Sequence, residues 1–199
     1  MKSRRTGRGQ SGKPPGKDTT AVLRSSRERT RKMEKEMIRL TVNGQPYEFE
    51  IGNKPNEIDP SHTLAHTLRE TLGLTGTKVS CDNGACGSCT VLMDHKPVLS
   101  CMTLTVECDG KKIMTIEGLR NPKTGELDPL QKAFIDHQAF QCGFCTPGII
   151  MTSKALLNKN PSPTEEEVKE ALSGNFCRCV SHYQVIQAVM SVAKGGNNG

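Results

Sequence analysis

Two hydrophobic periodicities, one in each half of the chain, predict an α+β protein. Residues 37–117 alternate apolar and polar positions, as half-buried strands do, around a single helical stretch. Residues 118–194 instead show helix-start signals followed by apolar side chains on one face, an all-α pattern. Nine cysteines are a third observation, because eight of them gather into two spaced sets, one per half. Trp is absent and aromatics make up only 4% of the 199 residues, so something besides bulky rings must help hold the chain together.

The first ordered element is expected at Met37. In "MIRLTVNGQPYEFEI", Ile38, Leu40 and Val42 alternate with polar neighbours, the chain turns at Asn43–Gly44, and Tyr47, Phe49 and Ile51 alternate again. That is a β-hairpin with one buried face. "SHTLAHTLRETLGL" spaces Leu64, Leu68 and Leu72 by four and reads as an amphipathic helix. A cysteine-rich loop follows, then a second hairpin in "CTVLMDHKPVLSCMTL" and a closing strand in "KKIMTIE". About 80 residues of this kind suffice for a small sheet domain.

"GLRNPKTGELD" is the expected linker between the halves. Asp128, Pro129 and Gln131 then form a helix start, with Leu130 and Phe134 on one face. Thr146–Pro147 opens a second helix carrying Ile149, Ile150, Ala155, Leu156 and Leu157. Thr164 and Glu167 make a capping box for a third, with Gly174 as its stop. The last helix places Ile186, Val189 and Ala193 together, and four such helices suggest a compact bundle.

The net charge of +6 is unevenly placed. Residues 1–36 hold 12 Lys+Arg against 4 Asp+Glu, whereas the remaining 163 hold 15 against 17. The basicity therefore belongs to the tail rather than to a globular face that could grip nucleic acid. Low apolar content and high charge predict that residues 1–36 are a disordered, solvated extension, with Met33 or Met37 as alternative starts. Residues 195–199 read as a flexible end.

"GRGQSG" at Gly7–Gly12 matches a dinucleotide-binding pattern in form only, because no strand precedes it and no helix follows. Arg4–Arg5 lacks the apolar stretch an export signal needs, and no run reaches the ~18 apolar residues of a membrane span. These features point to a cytoplasmic protein with reduced thiols, free to ligate metal.

Three uses compete for cysteines packed as tightly as in "CDNGACGSC": disulfides, zinc, or an iron–sulfur cluster. Cys81, Cys86, Cys89 and Cys101 are separated by four, two and eleven residues, the plant-type ferredoxin arrangement for a [2Fe–2S] cluster. A negatively charged cluster must be wrapped closely by backbone N–H groups, and Gly84 and Gly87 clear side chains from that wrap. Zinc also takes C-x-x-C pairs, but the additional Cys81 in a glycine-rich loop favours iron–sulfur. Cys142-x-x-Cys145 and Cys177-x-Cys179 sit at the ends of predicted helices, where four thiolates can surround a second cluster and N–H groups balance its charge. Cys108 is left as an ordinary buried or half-buried thiol.

The combination of "CDNGACGSCTV" with "QCGFCTPGIIM" and "GNFCRC" resembles the small iron–sulfur subunit of the xanthine oxidase family of molybdenum hydroxylases. The resemblance runs from about Met37 to Lys194. It implies a β-grasp [2Fe–2S] ferredoxin-like domain over 37–117 and a four-helix-bundle [2Fe–2S] domain over 118–194. Cys81, Cys86, Cys89 and Cys101 would hold the cluster nearer FAD. Cys142, Cys145, Cys177 and Cys179 would hold the one nearer the molybdenum cofactor, with Gln141 and Cys179 against its pterin.

The family also implies a large molybdopterin-binding subunit and a medium FAD-binding subunit, in a heterotrimer or its dimer. This chain would then relay electrons and carry no substrate site. One departure is "VSHY", Val180–Tyr183, where relatives usually carry Thr-Gly-Tyr. A free-standing ferredoxin-like carrier and a zinc-stabilised nucleic-acid-binding protein stay open as other classes. His62 and His66 read as polar residues on the surface of their helix, His182 as a neighbour of the second motif, and Glu165–Glu167 as acids complementing a helix dipole.

Overall fold

The computed structural model describes residues 36–195 except Asn56, so the expectations placed on residues 1–35 and 196–199 lie outside the described residues. Strands β1 (Met37–Val42) and β2 (Gln45–Glu50) pair antiparallel, with Ile38 opposite Phe49 and Leu40 opposite Tyr47. Their turn uses positive φ at Asn43 (51°) and Gly44 (83°), the left-handed pair that a two-residue hairpin requires. Strands β3 (Thr90–Met93) and β4 (Lys96–Leu99) form the second hairpin, turning at Asp94 and His95, which also adopt positive φ without help from glycine. Strand β5 (Lys112–Met114) lies between the hairpins, parallel to β1 and antiparallel to β3, giving the sheet order β2-β1-β5-β3-β4.

Helix α1 (Leu64–His66) is capped by Thr63, whose hydroxyl accepts from the His66 N–H. It widens over Thr67–Thr71 into a π-helical turn, closed by the Leu72 N–H on the Thr67 carbonyl. The spacing by four is therefore kept for Leu64 and Leu68, which are fully buried against Ile38, Leu40, Val42 and Ile113, while Leu72 is only partly covered.

The second half contains α2 (Pro129–Asp136), α3 (Thr146–Lys159), α4 (Glu165–Ala171) and α5 (His182–Gly195). Both expected capping boxes form, Asp128 with Gln131 and Thr164 with Glu167. The third helix ends earlier than its sequence suggests: α4 stops at Ala171, and a tight turn carries the chain through Ser173 to Asn175. Gly174 is not in the left-handed conformation of a helix stop, because its neighbours are needed elsewhere. Leu130, Phe134, Ile149, Val168, Val185 and Val189 form the core of these helices.

A third apolar cluster joins the halves. Met151 and Ala155 of α3 pack on Leu92 of β3, with Met114, Ile116 and Leu119 closing the margin. Residues 36–195 thus make one compact unit in which α3 belongs to the helical core and to the cluster that joins the halves. No helix among the described residues is long and apolar enough to cross a membrane. Because Met151 is completely buried at this junction, Met151→Ala is expected to lower stability by about 2–5 kcal/mol. The measurement is the urea midpoint, which should fall with an unchanged slope.

Candidate metal centres

The loop that carries the first three cysteines is held from behind before it reaches Cys81. Arg69 donates to the carbonyls of Thr75 (3.2 Å) and Thr77 (2.7 Å). Glu117 accepts from the Gly76 N–H at 2.7 Å and from the Thr115 hydroxyl, which is tied in turn to Asn43 in the first hairpin turn. The sheet thereby fixes where the loop begins.

From there the backbone turns inward. Asp82 (φ 53°), Gly84 (78°) and Gly87 (71°) adopt left-handed conformations, and the Ala85 N–H points at the Cys81 sulfur at 3.3 Å. Gly84 lies under Met102, whose side chain would touch any added Cβ at 3.0 Å. Cys101 does not come from the adjoining strand itself but from the short 3-10 turn Ser100–Met102 that follows β4. Its neighbour Ser100 donates its hydroxyl to the Cys89 carbonyl at 2.7 Å, tying the two cysteine segments together.

Within the first set the side chains act on one another: Cys81 feels Cys86, and Cys101 feels Cys89 and Cys81. Backbone N–H of Asn83 first, then the Cys86 side chain, bring the Cys81 thiol down to about 7. Burial, reinforced by Cys89, pushes Cys101 up to about 12. Cys108 stands apart in the sheet core, fully buried and raised to about 11 by desolvation, and does not join either set.

The second set is assembled from two helix approaches. Cys145 is the N-cap residue of α3, and Cys177 and Cys179 lie just before α5. Cys145 pairs with Cys177 and Cys142 with Cys179. Burial lifts Cys145 to about 12, and contact with Cys142 raises Cys179. For Cys177 burial acts upward but is outweighed by hydrogen bonds from Cys145 and the N–H groups of Val180 and Cys179, both 3.3 Å from its sulfur. Cys142, Cys179 and Gln141 are exposed, with Phe140, Phe144, Phe176 and Tyr183 also exposed along the same stretches.

The two sets touch through main chain. The Phe176 N–H donates to the Cys86 carbonyl at 3.0 Å, and Asn175 donates its amide to the Gly87 carbonyl at 3.1 Å. A Cβ on Gly87 would lie 2.5 Å from Asn175 Nδ2 and 2.7 Å from the Gly174 carbonyl oxygen. A Cβ on Gly148 of α3 would overlap the Gly87 carbonyl oxygen itself. Sequence reasoning assigns Gly87 only the task of clearing the metal loop, and misses Gly148 and Asn175 altogether. A glycine inside a helix costs about 1 kcal/mol against alanine, so its place in α3 was the available signal.

The donor chemistry, two sets of four cysteines with backbone N–H groups aimed at the Cys81 and Cys177 sulfurs, suits [2Fe–2S] clusters. The His62 and His66 rings lie tilted against each other with centroids 4.0 Å apart, His66 exposed and His62 half-buried. His182 is exposed at the start of α5, and the acids of α4 are engaged locally, Glu165 and Glu166 by Lys169 and Glu167 by the cap.

Two family models match this chain: the 2Fe-2S iron-sulfur cluster binding domain over residues 29–135 and the [2Fe-2S] binding domain over 115–190. The small subunit of nicotine 6-hydroxylase from Paenarthrobacter nicotinovorans is 49% identical, covering 71% of this chain and 86% of the relative. A probable xanthine dehydrogenase subunit from Bacillus subtilis (strain 168) is 41% identical over 84% of this chain and 91% of its own length. Among solved structures, a chain of quinoline 2-oxidoreductase from Pseudomonas putida 86 superposes with a TM-score of 0.74 at 42% identity, covering 83% of this chain and 98% of that one. Aldehyde oxidoreductase from Desulfovibrio gigas gives 0.73 at 38% identity, over 82% of this chain but 18% of the larger one. The chain is a two-motif [2Fe–2S] protein of mixed α/β fold. It belongs to the family of small iron–sulfur subunits of xanthine dehydrogenase-type molybdenum hydroxylases.

The seam between the motifs makes a prediction opposite to helix propensity. Gly148→Ala would stabilise an isolated helix by about 1 kcal/mol. Here the added methyl meets backbone that cannot rotate away, and the expected result is a net loss of about 1–3 kcal/mol. A raised melting temperature in Gly148→Ala would show that the close approach is not structural.

Proposed function

We propose that this chain is the electron-transfer subunit of a molybdenum-dependent oxidoreductase, connecting a molybdenum–pterin cofactor on a large subunit with FAD on a medium subunit, in a heterotrimer or its dimer. It carries no substrate site of its own. The sheet half, 37–117, is a β-grasp ferredoxin-like domain and the helical half, 118–194, a four-helix bundle. Cys81, Cys86, Cys89 and Cys101 hold one [2Fe–2S] cluster, and Cys142, Cys145, Cys177 and Cys179 hold the other. The work is cytoplasmic, where thiols stay reduced.

One observation carries this reading: the loop of the first cysteine set is bonded directly to the segment that carries Cys177 and Cys179, the Phe176 N–H donating to the Cys86 carbonyl. When bound, each cluster exchanges one electron, which suits a link between two-electron centres. The chain's own residues supply spacing and insulation. Asn175 and Gly148 fix the separation, and burial of Cys89, Cys101 and Cys145 keeps water from the inner sulfurs. Outward-facing Cys142, Cys179 and Gln141 suit an approach to the pterin, and the exposed Phe140, Phe144, Phe176 and Tyr183 beside them suit cover by the large subunit. Gly84, beneath the exposed Met102, marks the corresponding thin wall at the first set, toward FAD.

The experiment is EPR on the dithionite-reduced complex, with iron and molybdenum quantified in the same sample. Two distinct [2Fe–2S] signals, about four irons per chain and co-purifying molybdenum are expected. Iron below the level of two clusters, or zinc in its place, overturns the reading. Single substitutions assign the sets: Cys101→Ser should abolish one signal and Cys145→Ser the other. Loss of the same signal in both variants would refute the division into two sets.

A further inference from the structure

Ser88, between Gly87 and Cys89, has no role in holding a cluster by its backbone conformation. It is nevertheless 3% exposed, and buried hydroxyls are rarely left without a partner. Its hydroxyl has one hydrogen-bond partner among the described residues, the Cys86 sulfur, at 3.5 Å. The site is covered from outside by α3: a Cβ on Gly148 would lie 2.9 Å from the Ser88 Cα and carbonyl carbon.

As a free thiol, Cys86 can donate to the serine oxygen. A ligating thiolate carries no proton and can only accept, so the rotatable serine O–H must then turn to donate to sulfur. A donor in a shielded site stabilises the form with more negative charge, and one-electron reduction adds one negative charge beside this sulfur. We propose that Ser88 tunes the first cluster, its hydroxyl holding that cluster's reduction potential above the value its cysteines and backbone alone would set. This rests on the ligand assignment given above for Cys81, Cys86, Cys89 and Cys101.

The effect should be confined to one cluster. The Ser88 hydroxyl meets the Cys86 sulfur of the first set, and no hydrogen bond among the described residues joins it to Cys142, Cys145, Cys177 or Cys179. Ser88→Ala removes one oxygen and leaves the backbone and the Gly148 contact intact. Ser88→Thr keeps the hydroxyl.

The test is an EPR-monitored redox titration of the intact complex in wild type and both variants, with iron counted in each. Ser88→Ala is expected to make reduction of the first cluster about tenfold less favourable, a downward shift of ~59 mV, with the second cluster unmoved. Ser88→Thr should keep the wild-type potential. An unchanged first potential in Ser88→Ala, equal shifts at both clusters, the same shift in Ser88→Thr, or loss of first-cluster iron in Ser88→Ala would each overturn the proposal, the last by making Ser88 merely structural. Failure of the underlying ligand assignment would look different, because wild type itself would then lack two signals.

Discussion

The approach of Gly148 to the Gly87 carbonyl governs the rest of the molecule. Two main chains meet there with no side chain between them, and the geometry leaves no room for one. Around this contact Asn175 satisfies the Gly87 carbonyl and Phe176 the Cys86 carbonyl, so the metal loop is anchored by hydrogen bonds as well as packing. Asn175 is 5% exposed, and a buried amide is tolerable only because it is bonded; its loss would leave a polar group stranded at a cost of about 1–3 kcal/mol. With Leu92, Met151 and Ala155 packed alongside, the seam turns two small motifs into one body. Fixed spacing between the two cysteine sets follows from that contact, and a loosely tethered pair of domains would not provide it.

Electrostatics divides each cysteine set into an inner and an outer face. Burial holds Cys101 and Cys145 near 12, so in the metal-free chain these thiols keep their protons. At the rim, N–H groups from Asn83, Ala85 and Cys86 draw Cys81 down to about 7, and similar donors lower Cys177. If these eight hold metal, as proposed, all must ligate as thiolates, and the buried members are the ones that would give up protons to it.

Local chemistry was readable from the sequence, and non-local contact was not. Asn43–Gly44, Asp128 with Gln131, and Thr164 with Glu167 act within four residues of themselves, and each forms as its residue types require. The cysteine spacings were legible for the same reason: a wrapped cluster demands ligands from a short loop. Gly174 misled because a glycine after a helix usually stops it, whereas here Gly174 and Asn175 are shaped by a partner 88 residues away. Alternation running up to Leu99 suggests a strand for Cys101, yet a ligand must curl toward the loop, and the 3-10 turn does that. Hydrophobic periodicity carries no term for such tertiary demands.

The aromatic residues show what this body lacks by itself. Of its five Phe, Phe134 is fully buried and Phe49 partly so, while Phe140, Phe144 and Phe176 are exposed, as is Tyr183. The cores are instead made from Leu, Ile, Val and Met, which explains how so few rings suffice. Aromatic side chains bury more area than any others, and leaving most of them in water forgoes several kcal/mol of stabilisation. That arrangement is stable in a complex where another surface covers them. The same stretches bear Cys142 and Cys179, the exposed members of the second cysteine set. An open, apolar-rimmed cysteine pair is what a fixed neighbour needs for close approach, and a carrier that must stay soluble between transient encounters would gain nothing from it.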